Sequence, residues 1–217
     1  MIASGGSTPP TPDPGDLSRY VQDGLVLHLD GINKGGTSGR WSSLVGSEYY
    51  TLTNHSVEET NALRMDGSGV ISSTNTATVN YSSGTIEVCA EYLGTGAAVV
   101  MYAVSNGLAF IIGGSGYCFG IGSSNNQWNL TKESIFTVSL NSSRCVLNGS
   151  TTGTLIGSSW TSNISTNEIG GRSPYANPYY ANIRIYSIRK YNRILTEAEM
   201  LQNQAVDNAR FNLGLNI

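Results

Sequence analysis

The chain alternates short apolar runs with clusters of Gly, Ser, Thr and Asn. In Gly24–Gly31, Leu25, Leu27 and Leu29 fall on one face and Val26, His28 and Asp30 on the other, the alternation of a half-buried strand. Comparable runs cover Tyr49–Leu52, Ala62–Met65, Gly69–Ser72, Thr85–Tyr92, Ala98–Ala103, Leu108–Ile112, Tyr117–Ile121, Ile135–Leu140, Arg144–Leu147, Asn167–Ile169 and Asn182–Arg189. Turn-forming clusters separate them at roughly 8–12 residues, the spacing of a sandwich or barrel. Asn148-Gly149 offers one tight turn. No helical pattern alternates with the strands, which disfavours parallel βαβ units. The predicted fold is all-β, a two-sheet antiparallel jelly-roll sandwich with one short C-terminal helix.

The helix has a strong start signal. Leu195 precedes a Thr196 N-cap, Glu199 can complete a capping box, and Met200 can pair with Leu195 as a hydrophobic staple. The pattern predicts a helix from about Glu197 to Val206 that docks on the sandwich through Met200, Leu201 and Ala205. Phe211, Leu213 and Leu215 are expected to pin the segment that follows. At the other end, residues 1–16 hold four of the six prolines and read as an extended Pro/Gly/Ser-rich arm, with residues 17–217 as one domain.

Composition narrows the function classes. Only 12% of the 217 residues are charged, against roughly 25% in an average domain. That balance suits an extracellular or virion-surface β protein. The net charge is −3 and no Lys/Arg run is interleaved with aromatics, which argues against nucleic acid as a partner. No apolar stretch approaches the roughly 20 residues of a membrane span. Met1–Gly6 lacks the basic and apolar regions of a signal peptide, as a protein packaged into a virus particle would. Cys89, Cys118 and Cys145 show no C-x-x-C spacing and are expected to be buried free thiols, with a single disulfide as the alternative. Six N-x-S/T sequons follow from the Asn/Ser/Thr-rich composition.

The chain resembles the laminin-G-like domains of the concanavalin A-like lectin/glucanase superfamily over residues 20–212. The resemblance rests on Gly24–Gly31, Trp41–Gly46, Ala62–Gly67, Thr85–Val88 and, most specifically, Tyr180–Tyr186 followed by Tyr191–Thr196. It implies a lectin-like sandwich and Ca²⁺ as the one cofactor to consider. Ser43 stands where the family's Trp-x-Asp-Leu-Ser-Gly motif has its acidic residue, which leaves Asp30 and Asp66 as candidate metal ligands. Both also precede glycine, where a turn aspartate accepts backbone N–H groups.

Glucanases of this superfamily call for paired carboxylates. No E-x-D-x-E triplet is present, and Glu87 and Glu91 would stand about 13 Å apart along one strand, too far for either glycosidase geometry. Glu58-Glu59 reads as an exposed loop pair. There is no G-x-S-x-G elbow, P-loop or dinucleotide fingerprint. His28 reads as a structural histidine that Asp30 could orient. The expectation is therefore a protein that is not an enzyme. Two loops suit sugar recognition, where aromatic faces stack on rings and amides bond hydroxyls. One carries Asn126 and Trp128; the other carries Tyr175, Asn177, Tyr179 and Tyr180 beside Arg172. The alternative for both is packing on the sandwich edge. Trp41 and Trp160 read as core.

Together these features predict a non-enzymatic glycan-binding or adhesion module on a particle surface, foremost a bacteriophage virion, anchored by residues 1–16. The alternatives are a purely structural decoration protein and a secreted or cell-surface bacterial carbohydrate-binding domain. The expected partners are a glycan or surface polysaccharide, other virion or surface proteins, and further copies of the chain. The expected location is the virion surface or the extracellular space.

Overall fold

The computed structural model describes residues 16–74, 78–80, 82–95, 98–103, 108–112, 117–120, 127–130, 133–151, 154–156, 163–164, 167–172 and 179–217. The arm before Asp16 lies outside them, as do Trp160, Asn126, Tyr175 and Asn177. In chain order the first strands are β1 (Leu25–Asp30), β2 (Arg40–Ser42), β3 (Tyr49–Thr51), β4 (Ser56–Glu58), β5 (Leu63–Asp66), β6 (Ile71–Ser72) and β7 (Val79–Asn80). The middle of the chain forms β8 (Thr85–Tyr92), β9 (Ala98–Ala103), β10 (Leu108–Ile112), β11 (Tyr117–Gly120), β12 (Gln127–Leu130) and β13 (Ile135–Asn141). Then come β14 (Cys145–Leu147), β15 (Ser150–Thr151), β16 (Thr154–Ile156), β17 (Asn163–Ile164), β18 (Glu168–Ile169), β19 (Asn182–Tyr191) and α1 (Glu197–Phe211).

Every pairing among the described strands is antiparallel. The larger sheet runs β15-β14-β13-β8-β19-β5-β4, with β1 also paired to β19. The smaller one runs β10-β9-β18-β6-β3-β2. The apolar rows of the two sheets meet in one core that includes Leu27, Leu29, Trp41, Tyr50, Met65, Val88, Met101, Val138, Ile183 and Ile188. Register explains who faces inward: Val138, Val88, Ile188 and Leu29 are successive cross-strand partners across β13, β8, β19 and β1. Trp41 is fully buried, its indole N–H donating to the Asp30 carbonyl at 3.0 Å. Cys89 and Cys145 are buried free thiols, as expected, and burial pushes both up from the usual thiol range.

A register shift between Ile185 and Ser187 changes which residues of β19 face the core. Beyond it the inward row ends on Lys190, buried and paired to Glu48 at 3.5 Å, and Tyr50 also donates to Glu48. The outward row is Ser187, Arg189 and Tyr191, and it too is buried, because α1 lies over it.

The helix starts where the sequence placed it. The Thr196 hydroxyl accepts from the Glu199 N–H, and the Glu199 carboxylate accepts from the Thr196 N–H. The Arg193 guanidinium and these capping bonds hold the Glu199 carboxyl down at about 2. It ends five residues later than predicted, at Phe211, on a left-handed Asn212. Of the expected apolar face, Met200 is buried and Leu201 packs beside it against Val146, Tyr191 and Leu195, whereas Ala205 is exposed. The face that docks holds Met200, Asn203, Gln204, Val206, Asp207 and Phe211, and these polar contacts carry the helix past Val206. Among the described residues no helix is long and apolar enough to cross a membrane.

Candidate functional site

Two cross-strand rows of polar residues lie beneath α1. Ser139, Glu87, Arg189 and His28 form one, and Thr137, Cys89, Ser187 and Asp30 the other. Arg189 is fully buried and donates to Glu87 at 2.8 Å and to Asp207 on the helix at 2.8 and 2.6 Å. Asp207 also accepts from Tyr20, Ser187 and Thr137. Asn203 bonds Glu87, and Gln204 bonds Ser139 and the Val146 carbonyl. Burial pushes the Glu87 carboxyl up and Arg189 opposes it. Glu87, considered in sequence only as half of a carboxylate pair, is thus a closed structural partner of Arg189.

His28 sits against this cluster, edge-on to Tyr20 at 4.9 Å and 3.8 Å from Asp30. Its Nε2 has no hydrogen-bond partner among the described residues. Burial, reinforced by Arg189 and Arg210, holds it well below the usual imidazole range. The unfolded chain titrates near 6.5. A depressed folded pKa means that the stability from burying neutral His28 is intact above about 6.5 and is lost as pH falls from there. Relative to a His28→Gln protein, the wild type should lose up to about 1.4 kcal/mol per pH unit below 6.5. Urea unfolding at several pH values checks this, and parallel profiles for the two proteins would refute it.

The two aspartates named as candidate metal ligands stand apart. Asp30 is fully buried, accepting from Arg210 at 2.9 and 3.0 Å and from the backbone N–H groups of Ile32 and Asn33. A cation would have to compete with Arg210 for both oxygens, so Asp30 is a structural carboxylate tying β1 to α1. Asp66 closes its own turn, accepting from the Ser68 N–H and hydroxyl, which hold its carboxyl below the usual range. Among the described residues no three His, Cys, Asp or Glu side chains are grouped to hold a metal ion.

Register also assembles Glu91, Arg184 and Arg64 in one outward row on β8, β19 and β5. Arg184 bridges Glu91 and Glu59, the latter at 2.5 Å, and Tyr186 donates to Glu91 at 3.2 Å. Glu59 is therefore a half-buried ion-pair partner rather than half of an exposed loop pair.

The sugar-site residues are placed as follows. Trp128 lies on β12, opposite Phe119 and Leu155 in the strand register. Tyr179 is 41% exposed and adopts a left-handed φ of 47°, unusual for a non-glycine residue. Its carbonyl accepts from Val99 N–H at 2.8 Å, which pins it beside β9. The Arg172 guanidinium lies over its ring, 4.7 Å from the centroid. Tyr180 instead packs inward: a Cβ built on Gly171 would meet its ring at 2.5 Å. The structure thus brings Arg172 and Tyr179 together and turns Tyr180 to a packing role.

A polar cavity that the sequence did not signal opens at the far edge of the smaller sheet. It holds about 360 Å³ and is lined by Lys34, Gly36, Thr37, Ser38, Arg40 and Glu58. The loop from β1 to β2 shapes it, turning through positive φ at Gly35, Gly36 and Gly39. The Arg40 guanidinium stacks on Tyr49 at 4.0 Å, and Lys34 donates to the Glu59 carbonyl at 2.7 Å. Burial pulls the Lys34 ammonium below its usual range.

No protein-family profile and no curated protein sequence matches the chain. Solved structures do. A Trypanosoma rangeli sialidase in complex with 2,3-difluorosialic acid superposes with a TM-score of 0.64 at 14% identity, over 86% of this chain and 33% of that one. The binding domain of botulinum neurotoxin DC in complex with SialylT superposes at 0.55 and 12% identity, over 87% and 52%. A botulinum neurotoxin type C structure, described by its dependence on two ganglioside molecules for cell entry, gives 0.54 and 12%, over 86% and 51%. The chain shares their β-sandwich fold. It spans a third to a half of their lengths. The sialidase match corrects the expectation that the chain is not an enzyme. Sialidase chains carry this fold, and lacking E-x-D-x-E removes only the glucanase arrangement of carboxylates.

Proposed function

We propose that this chain is a carbohydrate-binding β-sandwich of the laminin-G-like kind. The observation that carries the reading is the exposed Tyr179 ring, held in a left-handed conformation with Arg172 over it. An aromatic ring fixed at the surface with a cation over one face offers what a sugar needs, its other face as a stacking plane and donors for hydroxyls at its edge. Asn126 and Trp128 of one loop and Tyr175 and Asn177 of the other are kept as further candidate sugar contacts from the sequence alone. The fold neighbours support the ligand class, since their structures are described with sialic acid derivatives, SialylT or gangliosides. On a glycan array, Tyr179→Ala should weaken binding about tenfold or more, roughly 1.4 kcal/mol. Absence of binding to any glycan at millimolar concentration would sink the reading.

The setting we propose is outward-facing, a bacteriophage virion or an extracellular surface, with residues 1–16 as the tether. Low charge content and the proline-rich arm support it. Deleting residues 1–16 should abolish particle incorporation while leaving glycan binding intact; unchanged incorporation would end the tether idea.

A further inference from the structure

We propose that the cavity between Lys34, Arg40 and Glu58 is a second site, one that binds the carboxylate-bearing ring of an acidic sugar. The carboxylate recognition stands on the cavity itself; the sugar part rests on the carbohydrate reading above. At about 360 Å³ the cavity falls within the size range of small-ligand pockets. Its three charged residues, Lys34, Arg40 and Glu58, leave one net positive charge.

Arg40 supplies the main contact. Its guanidinium lies over the Tyr49 ring, 4.0 Å from the centroid, and among the described residues no carboxylate pairs with it. Stacking fixes the planar fork and leaves its N–H edge for an acceptor, the geometry that suits a bidentate carboxylate. Lys34 is steadied by the Glu59 carbonyl and keeps two further N–H donors. The rest of the wall distinguishes an acidic sugar from a bare anion. Thr37 and Ser38 give hydroxyls that donate and accept, and Glu58 accepts only. Glu58 would repel sulfate or phosphate but can take hydrogen bonds from ring hydroxyls. A Cβ built on Gly36 or Gly39 would meet nothing within 4 Å, so this loop leaves the mouth open.

The cavity and the Tyr179 ledge lie at opposite ends of the smaller sheet. Four strand spacings separate β9 from β2 in the sheet order, about 19 Å. One acidic glycan chain could span both, yet each site can be tested alone.

The test is an NMR titration with glucuronate, glucose, acetate and sulfate. Glucuronate should shift the amides of residues 34–40 and 58. Arg40→Gln should weaken it at least tenfold, and Tyr179→Ala should leave it unchanged. Glu58→Gln should raise the affinity for sulfate and so narrow its difference from glucuronate. An unchanged glucuronate affinity in Arg40→Gln overturns the proposal, and acetate or sulfate binding as tightly as glucuronate overturns its sugar part. Neutral glycans that bind through Tyr179 while glucuronate ignores the cavity leave the ledge reading standing and end this one. Glucuronate bound at the cavity, with Tyr179→Ala silent toward every glycan, does the reverse.

Discussion

Asp207→Ala should cost about 3–5 kcal/mol, enough to leave much of the protein unfolded under mild conditions. The side chain is fully buried, and its two oxygens accept five hydrogen bonds, from Tyr20, Ser187, Thr137 and twice from Arg189. Removing it strands the Arg189 guanidinium under the helix with Glu87 as its remaining carboxylate. Three buried hydroxyls and two guanidinium N–H groups lose their acceptor while their desolvation stays, and Glu87 alone cannot replace it. The triple replacement Glu87→Met, Arg189→Leu, Asp207→Leu should therefore be less damaging than the single change. Urea unfolding of the three proteins measures it. A single-mutant loss below about 1 kcal/mol would show that water enters beneath α1 and solvates Arg189.

Trp41→Ala carries a comparable penalty for a different reason, about 3–5 kcal/mol of lost apolar burial and cavity formation. Among the described residues Trp41 is the largest fully buried side chain, on the edge strand β2, opposite Tyr50. Its indole N–H is also the donor for the Asp30 carbonyl. Trp41→Phe keeps most of the packing and should cost less, with about 1 kcal/mol from the hydrogen bond. The neighbours of Trp41 on β2 and β3 include Arg40 and Tyr49, so Trp41→Ala should also loosen the stacked pair at the cavity. Thermal unfolding gives the stability change, and equal losses for Ala and Phe would contradict the packing account.

How much the sequence revealed depended on whether a feature was local. The Thr196–Glu199 box is four consecutive residues, and it was readable to the residue. Strand alternation located β1, β8 and β19 because the apolar rows face the core. The same alternation misled on the other rows. Glu87, Ser139 and Arg189 look like solvent-facing positions, and so do Asn203, Gln204 and Asp207 on the helix. Only the register that sets Glu87 beside Arg189, and the helix laid across both, turns two polar faces into one buried interface. The register shift after Ile185 is likewise invisible in the pattern, yet it decides that Lys190 faces the core. Of the proposed ledge, the Tyr- and Asn-rich segment was legible from composition, whereas the left-handed turn that exposes Tyr179 was not. The cavity was hidden because the 34–40 loop acquires its opposite wall only when Glu58 is brought beside it from β4.

The placement of β19 has a consequence for biosynthesis. It comes after every other described strand of the sandwich, yet it sits in the middle of the larger sheet, flanked by β8 on one side and by β1 and β5 on the other. A ribosome-bound chain that has emerged only as far as β18 holds β1, β5 and β8 with their central edges unpaired. Such edges are the ones that recruit neighbouring chains. Emergence of β19 must therefore close the sheet and seat α1 almost together, so the larger sheet stays open until this strand is out.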